Sequence, residues 1–356
     1  MDTEAATTSY AHQVIDYLGQ RSARPLFFCG DATEVLRSLC PDTFDFCMTS
    51  PPYWGKRQYS GGGIGLEGSY RDYIENLLRV FAEVRRVLKQ SGSFWLNLGD
   101  SYLSKRLLGL PWRVAFEMMD RQGWILRNQV VWNKVKGSPD NAVDKLRNVH
   151  EPVFHFVKTP TGYYYNTDAI RTPPKKAKVI NGSVVSATGV SGVRYRRQIE
   201  LSTVLSDSEK TAAFAELEKM MDAVRAGEIA DFRMIIRGQQ RATHSDCEAV
   251  SGRARDLQQR GFYFLRYHPN GSKPGDVWDI IPEDTQKREG HFAPYPQDLC
   301  LIPILATCPE NGAVLDPFCG TGTTNLVAFQ LGRKSVGIDI SLEYLHAAAR
   351  RCHRLL

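Results

Sequence analysis

No stretch of this 356-residue chain approaches the roughly 18 consecutive apolar residues that a membrane-crossing helix needs. Nor do the first 24 residues, MDTEAATTSYAHQVIDYLGQRSAR, hold the apolar core of a secretory leader. The expectation is a protein that stays in the cytoplasm and has no membrane partner. Cysteine occurs at 29, 40, 47, 247, 300, 308, 319 and 352, but never as C-x-x-C and never at zinc spacing with histidine. Neither a disulfide framework nor a metal centre is expected, only free thiols in a reducing compartment. Internal repeats and long low-complexity tracts are missing too. A content of 42% hydrophobic and 24% charged residues excludes a disordered or fibrous chain.

The net charge of +6 is mild, but it is unevenly placed. Residues 171–275 hold 12 Arg and 6 Lys against 11 Asp and Glu, an excess that leaves the rest of the chain slightly acidic. One internal segment therefore carries the basic character, as a module facing a polyanion would. A solvated surface has a similar count.

Outside that segment, apolar runs and helical stripes alternate. Leu26–Cys29, Phe44–Thr49, Ser93–Leu98, Trp124–Trp132, Val153–Val157, Ala313–Asp316 and Ser335–Ile338 read as buried strands. Ala32–Leu39, Tyr70–Lys89 (stopped by Gly92), Pro111–Asp120, Pro296–Thr307, Thr323–Leu331 and a last segment from Glu343 read as helices. This rhythm predicts a parallel α/β sheet. It breaks after Ala169, where prolines, a Ser/Gly/Val stretch and an Ala/Glu/Lys-rich helix near 208–227 mark an insertion.

Two turns carry chemistry. At the first, the strand ending in Asp316 runs into Pro317, Phe318, Cys319, Gly320, Thr321, Gly322 and Thr323, where glycines let backbone N–H groups meet a ligand at a helix start. Asp339 ends the next strand, as a ribose-binding carboxylate does. Position 325 is Asn325, so a dinucleotide fingerprint is incomplete, and no Gly-Lys-Ser/Thr makes a phosphate loop. An acid at Asp316 repels pyrophosphate but suits a cationic amino group. The ligand uniting ribose, adenine and a zwitterionic amino acid is S-adenosylmethionine.

At the second turn, Thr49-Ser50-Pro51-Pro52-Tyr53-Trp54, two prolines force the chain out of the sheet at a strand end. Here the chain resembles the amino-group DNA methyltransferases of the permuted beta arrangement. The resemblance covers roughly residues 26–170 and 276–356. It is carried by Gly30-Asp31-Ala32, Ser50-Pro51-Pro52-Tyr53, Leu96-Asn97-Leu98-Gly99-Asp100, Val131-Trp132-Asn133-Lys134, His150-Glu151, His291 to Pro296, and Asp316 to Thr323. It implies a circularly permuted, Rossmann-like class I methyltransferase fold. The expected parts are an N-terminal extension at 1–24, a catalytic half at 25–170, a target-recognition module at 171–275 and a cofactor-binding half at 276–356.

The implied reaction is direct methyl transfer from S-adenosylmethionine to an exocyclic amine of a flipped base in double-stranded DNA. That nitrogen is a poor nucleophile until its lone pair leaves conjugation with the ring. Ser50 Oγ and the Pro51 carbonyl would hold its two N–H bonds out of the base plane, Pro52 fixing the carbonyl and Tyr53 stacking on the base. Serine in this motif is mostly associated with cytosine N4, so cytosine is favoured over adenine N6. The resemblance places Asp31 and Ala32 at the cofactor's adenine, with a strand-end turn acid as the plain reading of Asp31. It places Phe292, Pro294 and Tyr295 at the methionine end, and Ile340, next to Asp339, is expected to bind the cofactor as well. Trp132 and Lys134 fit a flipped-base pocket, a phosphate contact, or a core tryptophan beside a solvated lysine. His150-Glu151 reads as a structural hydrogen-bonded pair rather than an acid–base couple. Trp54, Lys134, Arg194, Arg196, Arg197 and Lys273 are the DNA-contact candidates, with Arg233, Arg237 and Arg241 spread through the same basic segment. A cognate restriction endonuclease is an implied partner, and a monomer and a homodimer both fit. A catalytically silent DNA-binding regulator and a nicotinamide oxidoreductase are the readings from other classes. The intact turns argue against the first and the missing third glycine against the second.

Overall fold

The structure is a computed structural model that describes residues 2–56, 63–137, 141–174, 176–238, 252–283 and 295–353. The chain divides into two compact units, Met1–Ala169 with Gly275–Leu356, and Ile170–Pro274.

The larger unit is built on one eight-stranded sheet. Its strands are β1 (Leu26–Cys29), β2 (Phe44–Thr49), β3 (Leu88–Asn97), β4 (Ile125–Asn133), β5 (His150–Val157), β6 (Val277–Asp279), β7 (Ala313–Asp316) and β8 (Lys334–Asp339). They lie in the order β1-β8-β7-β2-β3-β5-β4-β6. The rhythm predicts an all-parallel sheet, and most of it is parallel. The exception is β5, which runs antiparallel to both β3 and β4. Its first residues therefore lie at the same sheet edge as the last residues of its neighbours: Asn97 pairs with Val153, and Trp132 with Glu151.

Alternate strand residues fill two cores, one on each face, which is why the strands read as near-continuous apolar runs. Cys47, Phe94, Leu96, Leu315 and Ile338 pack with helices α2 (Ala32–Ser38), α3 (Tyr70–Val87) and α4 (Leu110–Gln122). Phe46, Met48, Trp95 and Val314 pack on the other side, against Leu299 and Ile304 and against Val327 and Ala328. The N-terminal extension joins the first core. Its helix α1 (Asp2–Gly19) buries Val14 and Tyr17, and the Tyr17 hydroxyl accepts the Ser335 N–H at 2.9 Å. α3 ends at Val87 rather than at Gly92, which lies within β3, where a side chain would press on the Asp45 carbonyl.

The second unit has its own core of Tyr195, Ile199, Leu217, Met220, Met221, Phe232 and Phe262. Its helices are α5 (Ser191–Glu200), α6 (Asp207–Arg225) and α7 (Gly252–Arg260). α6 opens with a capping box between Ser206 and Glu209. Two antiparallel strands, Asp231–Ile236 and Phe262–Tyr267, complete the core, and Lys178–Val190 forms a small three-stranded sheet. Helices α8 (Gln297–Thr307), α9 (Thr323–Gln330) and α10 (Leu342–His353) return the chain to the larger unit. Among the described residues no helix is long and apolar enough to cross a membrane.

Candidate active site

The glycine turn and the proline turn leave neighbouring strands, β7 and β2, at the same edge. One buried carboxylate ties them together. Asp316 Oδ1 accepts the Thr49 hydroxyl at 2.6 Å and the Phe318 N–H at 3.1 Å; Oδ2 accepts the Thr324 hydroxyl at 2.6 Å and the Tyr295 hydroxyl at 3.2 Å. Burial raises its carboxyl to about 6 against the opposing pull of these donors. Both oxygens are thus filled from within the protein. The sequence suggests a free acid facing a cationic amino group; Asp316 instead registers Thr49, the residue before Ser50, against the glycine turn.

The rest of the turn is shaped for close approach. Gly322 has φ +73°, and a Cβ there would lie 2.8 Å from that of Ala348. Gly320 has φ +51° and donates its N–H to Asp339 Oδ2 at 2.8 Å. Ser341 N–H fills one position on Asp339 Oδ1, so each oxygen keeps acceptor capacity for a ribose hydroxyl. Burial raises the Asp339 carboxyl. Asp31 caps α2, its Oδ1 accepting the Thr33 and Glu34 N–H groups. The turn-acid reading thus holds for Oδ1, and Oδ2 takes no hydrogen bond from a described residue. Gly30 N–H bonds the Asp339 carbonyl at 3.0 Å, which brings Asp31 and Asp339 to one end of the sheet. Asn325, fully buried just beyond the turn, has neither side-chain polar atom partnered among the described residues. These open acceptors, and a turn whose conformation requires glycine, fit a nucleoside. Arg351 of α10, which no sequence motif signals, clamps the turn through the Thr321 carbonyl (2.6 Å) and the Thr321 and Thr323 hydroxyls. Ala32 and Cys319 are buried, Pro317 and Phe318 pack at the turn, and Ile340 is 40% exposed. Phe292 and Pro294 lie outside the described residues; their neighbour Tyr295 is the one that reaches Asp316.

At the proline turn, Ser50 Oγ donates to the Tyr53 hydroxyl at 3.3 Å, and Tyr53 donates to Glu151 Oε2 at 2.8 Å. Tyr73 takes the Pro52 carbonyl at 2.8 Å, while the Pro51 carbonyl has no donor among the described residues. Gly99 makes room for the Tyr53 ring, since a Cβ there would lie 2.3 Å from Cε2. Glu151 does not pair with His150. Besides Tyr53, its partners are Lys134, which donates to Oε1, and Asn97, whose Nδ2 lies 3.1 Å from Oε2. Lys134 also sits 4.9 Å from the Trp132 ring centroid, so it faces the protein rather than solvent. Trp54 is held by its indole N–H on the Glu67 carbonyl at 3.0 Å. Residues 57–62, which follow shortly after it, lie outside the described residues.

In the second unit Arg194 bonds Thr188 and lies over the Tyr195 ring, and Arg196 pairs with Glu218. Arg237 bonds Glu209. Arg197, Arg233 and Lys273 are exposed; Arg241 lies outside the described residues.

A family model described as DNA methylase, spanning the N6- and N4-directed enzymes, matches residues 44–350. The chain belongs to this amino-group DNA methylase family. The methyl donor of such methylases is S-adenosylmethionine. The chain is 31% identical to the type II methyltransferase M.SfiI of Streptomyces fimbriatus, over 89% of this chain and 88% of that protein. It is 29% identical to M.SmaI of Serratia marcescens, over 91% and 89%. Among solved structures, the PvuII DNA methyltransferase (cytosine-N4-specific) matches with a TM-score of 0.55 at 17% identity, over 93% of this chain and 86% of that one. That likeness carries the fold, a class I methyltransferase sheet, which the motif order anticipates.

Proposed function

We propose that this methylase modifies the N4 amino group of cytosine in a specific double-stranded DNA sequence, as the modification half of a restriction–modification pair. The observation that carries the reading is Ser50 itself. It stands where this family carries serine or an acidic or amide residue, and its hydroxyl is oriented by Tyr53. In this reading Ser50 Oγ and the Pro51 carbonyl are the two acceptors that draw the amine out of conjugation, and Tyr53 meets the extruded base. Asp31 and Asp339 hold the nucleoside of the donor, and the Gly320–Gly322 turn its amino-acid end. The bound donor supplies an electrophilic methyl on sulfonium; positioning by the protein does the rest, and no covalent enzyme intermediate is needed. Exposed Arg197, Arg233 and Lys273 are assigned to DNA phosphates.

The test is to incubate the protein with S-adenosylmethionine and plasmid, then map the modified bases by a method that separates N4-methylcytosine from N6-methyladenine. N4-methylcytosine at one recurring sequence is the expected result. N6-methyladenine would assign the enzyme to the other branch of its family.

A further inference from the structure

Glu151 has no part in the reading above, yet three donors converge on a side chain only 13% exposed. Lys134 donates to Oε1; the Tyr53 hydroxyl and Asn97 Nδ2 donate to Oε2 at 2.8 and 3.1 Å. A carboxylate accepts and cannot donate. Its presence therefore fixes the sense of the hydrogen bonds that lead away from it. Tyr53 has one hydroxyl proton and directs it to Glu151. The nearby Asn97 Oδ1, at 3.3 Å, is also an acceptor and leaves the sense unchanged. The Tyr53 oxygen is then the acceptor for Ser50, 3.3 Å away. Ser50 has given its only proton inward and turns lone pairs alone toward any other neighbour.

We propose that Glu151 sets the polarity of base recognition. By holding the chain from Ser50 through Tyr53 to Glu151 in one direction, it makes the Ser50 hydroxyl an obligate acceptor. The site then takes a base with an exocyclic amine and rejects one with a carbonyl oxygen at that position. This rests on the placement of Ser50 at the target nitrogen. A carbonyl there sets lone pairs against lone pairs and leaves two acceptors unpaired in a desolvated pocket, a larger loss than one missing bond. Burial, with the Glu151 charge adding to it, pushes the Tyr53 hydroxyl well above the ordinary tyrosine range, so it remains a donor. Lys134 makes the device depend on charge. Lysine can only donate, so a glutamine at 151 turns its amide oxygen to Lys134 and its NH2 to Tyr53. That NH2 faces the NH2 of Asn97, so the Asn97 amide turns over and withdraws its Oδ1 from Tyr53; the Tyr53 proton is then directed toward Ser50, and the Ser50 hydroxyl turns outward as a donor. Glu151 acts through two other side chains and is a positioning residue.

The test reads binding, not turnover. Duplexes carrying the mapped site, with the target base opposite an abasic position to equalise the cost of flipping, are compared by fluorescence anisotropy without methyl donor. Uracil replaces cytosine, exchanging the 4-amino group for a 4-oxo group. The accompanying change at ring position 3 is the same for every protein variant and cancels in the comparison. Wild-type protein is expected to prefer cytosine, and Glu151→Gln to shrink the cytosine-to-uracil affinity ratio at least ~10-fold. Absence of a preference in the wild type, or an unchanged ratio in Glu151→Gln, overturns the proposal. Should the glutamine variant melt early, Tyr53→Phe removes the Ser50 acceptor without touching the carboxylate; an intact ratio there is equally fatal. Ser50→Ala separates the two layers. Normal methylation by Ser50→Ala removes the placement of Ser50 and the polarity device with it. Impaired Ser50→Ala with an unchanged ratio in Glu151→Gln removes the polarity device alone. If the mapped base is adenine, hypoxanthine takes the place of uracil and the same narrowing is expected.

Discussion

The two units treat charge in opposite ways. In the larger unit the carboxylates of Asp316, Asp339 and Glu151 and the guanidinium of Arg351 are mostly or wholly buried, and each is held by two to four hydrogen bonds from different elements. In the Ile170–Pro274 unit, Arg196 and Arg225 sit at the surface with one carboxylate apiece, and Arg197, Arg233 and Lys273 are exposed. Removing one partner of a buried charged pair costs about 3–5 kcal/mol, whereas an exposed pair contributes about 0–1 kcal/mol. On the proposed function, the buried charges of the first unit position reacting groups, and these surface cations of the second are held loosely enough to be given to a polyanion. Substitutions should hit the two units in different observables: turnover and pH dependence in one, salt dependence of DNA binding in the other.

The largest effect is expected at Ser50. Ser50→Ala should leave S-adenosylmethionine affinity within ~2-fold and cut turnover at least ~100-fold, because on the proposed function it removes an acceptor aimed at the reacting nitrogen. Turnover near normal, with the cofactor bound, would place the chemistry elsewhere.

Asp316 offers a pH test of the buried network. Its carboxyl is raised from 3.8 to about 6 in the folded chain, chiefly by burial. The folded state keeps this proton in a window where the unfolded chain has lost it. The stability from this proton is complete below about pH 4 and lost as pH rises to 6, leaving a penalty of about 3 kcal/mol at neutrality. Asp316→Asn removes the titration. Urea midpoints of wild type and variant should diverge between pH 4 and 6, the wild type falling relative to the variant as pH rises. Parallel curves would mean that Asp316 is not buried as a titrating acid.

Gly99→Ala comes next. A Cβ at 2.3 Å from the Tyr53 ring cannot be absorbed without moving the ring. Overpacking of this kind costs about 1–3 kcal/mol, and displacement of Tyr53 should lower turnover about 10-fold while thermal melting stays cooperative. An unaltered rate would show that Tyr53 tolerates movement and that the Ser50 hydroxyl does not need it.

The strands and both chemical turns were legible because buried strands, a proline pair at a strand end and a glycine pair before a helix all leave local marks. Ser50, Asp31, Asp316 and Asp339 are therefore readable in advance as strand-end residues. The direction of β5 is not, since hydrophobic runs are the same read either way. That reversal brings Glu151 to the ends of β3 and β4, so the partnership of Glu151 with Tyr53, Asn97 and Lys134 has no signature in spacing. Thr49 and Thr324 donate to Asp316 from 267 and 8 residues away, and a lone threonine beside a motif carries no pattern. The N-terminal extension at 1–24 lies outside the motifs that carry the resemblance, yet its Val14 and Tyr17 enter the core. The acid at Asp316 invites a ligand role from sequence because burial and internal donors are three-dimensional facts.

The smallest effect sharpens the contrast within the basic unit itself. Arg196 and Arg197 are consecutive on α5 and both exposed, but Arg196 pairs with Glu218. A phosphate must compete with Glu218 for Arg196, whereas it meets no such competitor at Arg197. If both reach DNA, Arg197→Ala should lower the slope of log affinity against log salt by about 1, the loss of one phosphate contact. Arg196→Ala should lower it by less, because part of the freed counterion charge was already neutralised. Neither substitution should alter turnover at saturating DNA, since neither touches the buried network of the larger unit. Equal slopes for the two variants would show that the Glu218 pair opens on binding without cost, and two unchanged slopes would remove α5 from the DNA-contacting surface and shift the polyanion role to Arg233 and Lys273.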